Sequence, residues 1–237
     1  MSVRDISERF GYPLSSTSVL IKSIATLGYL SYDSRIRAYS PTLLLARLGD
    51  WIYESSFSNA EMVALMRTLS ESTSETVILA VQNDIESLYV QVLQSRLPIQ
   101  FYVSQGTRRP VCASGTGWAL LSVQSDAAIA HIHQRTKARI GKVGPPENMA
   151  LEDVMVQIQK ARSKGYVYSR GTNTPGVGII AMPVPLKSFE AQLVIGVGGL
   201  IERLDAGESS IVKLMKASLA RYNKDRTSPK HRLISRP

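Results

Sequence analysis

The sequence predicts an α+β protein: a short helix-turn-helix with a hairpin wing, a connecting helix, and a larger domain built on an antiparallel sheet. Three observations predict it. Glycine and proline punctuate the first forty residues into two short helices and two β-prone pieces. A broad apolar stripe at helical spacing follows from Pro41. Beyond residue 59 the apolar pattern alternates between helical spacing and strand-like runs.

Asp5–Phe10 reads as the first helix, stopped by Gly11-Tyr12-Pro13. Gly accepts left-handed angles, and Pro presets the chain for the next helix. Ser15–Leu27 is the second, with Leu20, Ile24 and Leu27 expected inward and Gly28 ending it. Tyr29–Tyr32 and Arg37–Ser40, joined by Asp33-Ser34-Arg35-Ile36, form the wing. The next helix, from Pro41 to about Glu54, carries Leu43, Leu44, Leu48, Trp51 and Ile52. Ser55–Asn59 breaks it and marks a domain boundary. The expected organisation is therefore a DNA-binding segment over 1–40, a linker helix over 41–58, a sheet domain over 59–222 and a basic, disordered tail over 223–237.

In the sheet domain, Ala60–Ser72 is helical, with Met62, Leu65, Met66 and Leu69 on one face. Thr76–Val81 and Ser87–Leu93 form a hairpin around Asn83-Asp84, and Ile99–Val103 is read as a third strand. Helices follow at Gly115–Val123, Asp126–Gln134 and Leu151–Lys164, the last with Val154, Ile158 and Ala161 inward. Strands at Tyr166–Ser169, Gly178–Val184 and Gln192–Gly198 precede a closing helix, Ser209–Arg221.

The 237 residues carry a net charge of +9. The excess is small in the first 58 residues (+1), modest over 59–220 (+3) and concentrated in 221–237 (+5). Basic composition therefore supports a polyanionic partner only weakly where DNA contact is expected. No apolar run approaches the ~18 residues of a membrane span, and no secretory signal opens the chain. Cys112 alone cannot build a disulfide framework, which suits a reducing cytosol.

Four blocks, in order, resemble the IclR family of bacterial transcriptional regulators. They are Asp5–Thr17 with Ile24–Leu30; Tyr39-Ser40-Pro41 leading to Ala46–Gly49; Gly106–Leu121; and Lys164-Gly165-Tyr166 with Gly176–Val184 and Ile195–Gly199. The resemblance implies a GAF-like effector-binding domain, a linker helix, and homodimers or homotetramers on double-stranded operator DNA. It also implies one more helix ahead of the helix-turn-helix pair, and hence residues upstream of Met1. The chain departs from the family with Leu14 and Val19 where the recognition helix often carries basic residues. A Gly117-Trp118 pair also replaces the family's glycine–lysine.

For DNA, Ser15, Ser16 and Ser18 supply short donors and acceptors near a helix N-terminus, and Lys22 reaches a phosphate. Arg35 and Arg37 of the wing are expected on one side of a strand, suited to a minor groove. For the effector, the positions matching the family's small-acid site are Gly115, Thr116, Ser169, Arg170, Ile179, Gly196 and Gly198. Amides at a helix start attract a carboxylate, and Arg170 is a candidate ion-pair partner. Ile179, Gly196 and Gly198 are apolar or bare where small-acid sensors in the family are polar. A larger, more apolar ligand is expected, an aromatic carboxylate.

Catalysis is not supported. His131 and His133 are two apart on a helix and face different ways, His231 lies in the tail, and Cys112 has no evident histidine partner. Gly196-x-Gly198-Gly199 is not promptly followed by a predicted helix, unlike a dinucleotide fingerprint. No metal and no cofactor are expected. The alternative reading is a GAF-like small-molecule-binding protein whose DNA grip is degenerate or lost.

Overall fold

The computed structural model describes residues 1–45, 59–140, 149–185 and 192–227. The chain divides into two compact units, Met1–Asn59 and Ala60–Pro237. Residues 43–45 are helical, but the rest of the expected linker helix, with Leu48, Trp51 and Ile52, lies outside the described residues.

In the first unit, α1 (Val3–Phe10) starts with a capping box. The Ser2 hydroxyl accepts from the Asp5 amide, and the Asp5 carboxylate accepts from the Ser2 amide. Gly11, at φ +67°, closes the helix in the left-handed region. α2 (Leu14–Thr26) follows after Pro13. It turns a different face inward from the one expected: Thr17 and Ile21 are buried, while Leu20 and Leu27 are exposed. The Thr17 hydroxyl is satisfied by the Pro13 carbonyl at 3.0 Å, so a polar residue can sit in this small core. β1 (Leu30–Asp33) and β2 (Ala38–Pro41) pair antiparallel, with Tyr32 opposite Tyr39. Thr42 ties the hairpin's far end to the helix, donating to the Gly28 carbonyl at 2.6 Å.

The second unit opens with α3 (Asn59–Thr73), whose Met62, Leu65, Met66 and Leu69 are all buried. A six-stranded antiparallel sheet follows in the order β5-β4-β3-β8-β7-β6. Its strands are β3 (Thr76–Asn83), β4 (Glu86–Leu93), β5 (Arg108–Pro110), β6 (Val167–Arg170), β7 (Val177–Pro183) and β8 (Leu193–Leu200). A 3-10 turn (Val111–Ala113) leads into α4 (Gly115–Ser122), then α5 (Asp126–Ile140) and α6 (Leu151–Lys164). α6 buries Val154, Ile158 and Ala161, packing them with Trp118, Leu120, Ile129, Val167, Ala181 and Val194.

Register divides the sheet into two faces. Ile78 pairs with Gly196, Ala181 with Gly196, and Ile179 with Gly198, so these residues share the face that α4 covers. Gly178 and Tyr168 belong to the other face, where Leu204 of α7 (Ile201–Thr227) packs against them.

Two further expectations are corrected. Ile99–Val103 is not a strand. Phe101 and Val103 do turn inward, which imitates strand alternation. Their carbonyls, however, accept from the side chains of Thr76 and Gln94 rather than from a neighbouring strand. The edge of the sheet is β5 instead. The closing helix is also longer than expected: it leaves β8 directly at Ile201, and residues 223–227 continue it rather than starting a tail. Leu204, Ile211, Met215 and Leu219 keep it on the core.

Candidate effector cavity and DNA-facing surface

The α4 side of the sheet holds a nearly filled cavity of about 30 Å³, lined by Tyr89, Phe101, Arg109, Ser169, Asn173 and Ile179 among others. α4 forms one wall. Its first turn is capped by Ser114, whose hydroxyl accepts from the Gly117 amide at 3.2 Å. Gly115 lies so close to Ser169 and Ile179 that a Cβ there would collide with both. The glycine is thus required by close approach of the helix start to β6 and β7. Thr116 is fully buried and accepts a hydrogen bond from the Ser87 hydroxyl at 2.9 Å.

Five of the seven residues expected at the effector site meet here: Gly115, Ser169, Ile179, Gly196 and Gly198. Ile179 is the hub, paired across the sheet with both Ser169 and Gly198 and with its side chain over Gly196. Thr116 borders the same space through Tyr89, whose hydroxyl hydrogen-bonds to it. The Ser169 hydroxyl has no hydrogen-bond partner among the described residues, although Ser169 is only 6% exposed. Its hydroxyl lines the cavity and is open to a hydrogen bond from a ligand.

Arg170 is not part of this site. Successive strand residues point to opposite faces, so with Ser169 inward Arg170 must point away. Its guanidinium stacks 3.8 Å over the Tyr168 ring and pairs with Asp205 at 2.8 Å and Glu208 at 3.4 Å. The Tyr168 hydroxyl donates to the same Asp205 at 2.7 Å. These bonds, Tyr168 first and Arg170 second, hold the Asp205 carboxyl below the usual carboxylate range. Burial, with that bond to Asp205, pushes Tyr168 well above the ordinary phenol range.

The bare glycines do not leave room either. The space above Gly196 is taken by the Ile179 side chain, 2.8 Å from where a Cβ would stand. That above Gly198 is taken by the Phe101 ring at 3.0 Å. The larger cavity expected from these residues is therefore already occupied by the protein's own side chains.

Three residues that sequence reasoning missed complete the lining. Arg109 lies opposite Ser87 in register, on the cavity side of β5, and no carboxylate among the described residues pairs with it. Tyr89 lies 4% exposed between Arg109 and Thr116. Its phenol is raised above the ordinary value by burial, with Thr116 and Arg109 acting against the shift. Asn173 donates to the Ala113 carbonyl at 3.0 Å, fastening the 171–176 loop to the start of α4. Phe101 and Arg109 could have been suspected from an unexplained aromatic just before the Gly106–Leu121 block and a cation within it.

In the first unit, Ser15, Ser16 and Lys22 are exposed on α2, and Ser18 is half-buried. No side chain among the described residues pairs with them. Arg35 and Arg37 are both exposed but lie in the four-residue turn between β1 and β2, not on one side of a strand. The Asp33 carboxylate accepts from the Arg35 amide at 2.8 Å, and Arg37 adopts φ +50°. The wing thus presents its two cations from a tip. Among the described residues no cluster of His, Cys, Asp and Glu is suited to a metal, and no helix is long and apolar enough to cross a membrane.

Comparison with known proteins agrees with this architecture. The HTH-type transcriptional regulator XynR of Escherichia coli (strain K12) is 24% identical over 225 residues, spanning 93% of this chain and 87% of the relative. The HTH-type transcriptional regulator BhcR of Paracoccus denitrificans is 26% identical over 200 residues, spanning 84% and 71%. The effector domain of an Acinetobacter sp. ADP1 IclR-type regulator superposes with a TM-score of 0.64 at 26% identity, covering 70% of this chain and 96% of that domain. An IclR regulator from Alicyclobacillus acidocaldarius superposes with a TM-score of 0.72 at 22% identity, covering 93% and 88%. Residues 59–221 match the family model described as bacterial transcriptional regulator IclR C-terminal. With more than half its length in that match, the chain belongs to the IclR family of bacterial transcriptional regulators.

Proposed function

We propose that this chain is an effector-responsive, DNA-binding transcriptional regulator of a catabolic operon, acting in the cytosol as a homodimer or homotetramer. Its effector is a small organic acid, an aromatic carboxylate. The observation that carries the reading is the pairing, in one chain, of a helix-turn-helix with a wing and a sheet domain holding a small, partly polar cavity.

The chemistry of each half fits its role. α2 offers Ser15, Ser16 and Ser18 near its N-terminus with Lys22 a turn further on, and the wing tip offers Arg35 and Arg37. Phosphate contacts set affinity and register, and hydroxyls near a helix N-terminus can reach base edges. In the other half, the amides opening α4 favour an anion, and Ser169 and Tyr89 supply hydroxyls. Ligand binding is transmitted through the helix that begins near Pro41, changing the spacing of two DNA-binding units. Two half-sites tolerate only spacings near a helical turn, so a small change in spacing is enough to release DNA. XynR, BhcR and AllR, the last a transcriptional repressor by its printed name, are relatives of comparable length.

Fluorescence anisotropy with duplexes from the DNA flanking the chain's own gene tests this reading. We expect binding whose salt slope falls by about one for each phosphate-contacting cation removed, as in Lys22→Ala or Arg37→Ala. Failure to bind any such duplex above nonspecific DNA would leave a GAF-like small-molecule-binding protein without a DNA grip.

A further inference from the structure

Phe101 is among the side chains that line and narrow this cavity. Phe101 sits on an irregular segment, with its exposed neighbours Ile99 and Tyr102 on either side. Its backbone is pinned by the Thr76 hydroxyl, which donates to the Phe101 carbonyl at 2.7 Å. The ring is half-buried and lies against bare Gly198, beside Tyr89, Val103 and Ile179. A χ1 rotation can therefore lift the ring out of the slot without breaking the bond that holds the segment. What it would vacate is a flat, apolar slot floored by a glycine. At the rim stand Arg109, with no carboxylate partner among the described residues, the Tyr89 hydroxyl and the unpartnered Ser169 hydroxyl.

We propose that Phe101 is a removable plug standing in for the ring of the effector, and that Arg109 anchors the effector's carboxylate with Tyr89 and Ser169 as hydroxyl partners. The proposal rests on the reading of this cavity as the effector site and deepens it. It names the residue that binds the acid group and the residue that must move.

The arrangement accounts for three features together. It gives a role to an arginine that lines the cavity beside the Tyr89 hydroxyl and has no carboxylate partner among the described residues, since a planar fork suits a carboxylate in two-point contact. It explains why Gly198 has no side chain: a Cβ there would crowd any ring in the slot. It also accounts for a cavity of about 30 Å³, the share of liquid volume of one water, in a domain expected to bind a small molecule. The plugged state is the empty state, and a ligand's apparent affinity is reduced by the fraction of molecules in which the plug is seated.

Calorimetry on the full chain tests this with benzoate and its uncharged isostere benzamide. Phe101→Ala removes the competitor and leaves room for an aromatic ring against Gly198. It is expected to bind benzoate at least about tenfold more tightly than the wild type. In that background Arg109→Gln is expected to weaken benzoate about tenfold while leaving benzamide nearly unchanged, and Arg109→Lys to restore part of the loss. Phe101→Leu, which keeps an apolar cap without the flat ring, should show part of the gain and covers the case in which the alanine variant is unfolded. Benzoate binding no tighter in either Phe101 variant would overturn the plug. Equal losses for benzoate and benzamide on changing Arg109 would overturn the anchor. Both outcomes are read on the ligand alone, so they stay distinct from a failure of DNA binding, which would overturn the regulator reading instead.

Discussion

Thr17 and Ile21 are the only side chains buried among the described residues of the N-terminal unit, whereas the C-terminal unit buries whole faces of a sheet and three helices. In the N-terminal unit Leu14, Val19 and Leu20 stand exposed on α2, and Leu27 stands exposed just past its end. In the C-terminal unit Leu69, Ile78, Leu120, Ile158, Ile180 and Ile195 are sealed completely. The first is held by punctuation: a capping box, a left-handed glycine and a few backbone-directed hydroxyls. The second is held by packing. On the proposed function, the first unit keeps its surface for DNA contacts while the second packs a core beside the effector cavity.

The largest effect should come from the sensor core. Ile180→Ala, with its side chain fully buried, is expected to cost about 4 kcal/mol and lower the main calorimetric transition. Next, Glu75 is 3% exposed and meets Arg203 in a two-point pair at 2.5 and 2.9 Å. Glu75→Gln weakens that pair beneath a partly exposed arginine, and about 2 kcal/mol should be lost from the same transition. Ile21→Ala should cost about 2 kcal/mol but act on the N-terminal unit alone, leaving the sensor's transition in place. If Ile21→Ala lowered the sensor's own transition equally, the two units would not be separate in the way their cores suggest.

The smallest effect concerns acid. Asp205 has its carboxyl lowered by the Tyr168 and Arg170 bonds. A depressed folded-state value adds stability that is present above the ordinary carboxylate range and is lost as pH falls through the folded value. Asp205→Asn should therefore reduce Tm slightly at neutral pH, and the difference from wild type should vanish in strong acid. A difference that grew as pH fell would contradict the sign.

The parts of this architecture legible in the sequence were those with simple periodicity. Gly11, Pro13 and Gly28 marked the helix ends, and Val154, Ile158 and Ala161 marked the inward face of α6. The hairpin strands β3 and β4 and the pair β7 and β8 showed as apolar runs. What failed depended on tertiary direction. Inward Phe101 and Val103 suggested a strand, because side-chain tethers and ladder bonds leave the same alternation. The inward face of α2 differs from the expected one because Thr17, its hydroxyl satisfied by the Pro13 carbonyl of its own helix, can be buried with Ile21 while Leu20 stays exposed. Arg170 matches a family effector position next to Ser169 in sequence, but strand alternation puts the two on opposite faces. Arg109 was overlooked next to Arg108, which makes an ordinary surface pair with Glu86.

Coupling between the two units is the centre of this account, and one titration tests it most directly. Small aliphatic and aromatic carboxylates are first screened for the one that most raises the melting temperature. The affinity of the chain for the duplex flanking its own gene is then measured at fixed salt, without that acid and at saturation. The account predicts a change in Kd of at least about fivefold, in either direction. An unchanged Kd, with the acid shown by calorimetry to be bound, would contradict it.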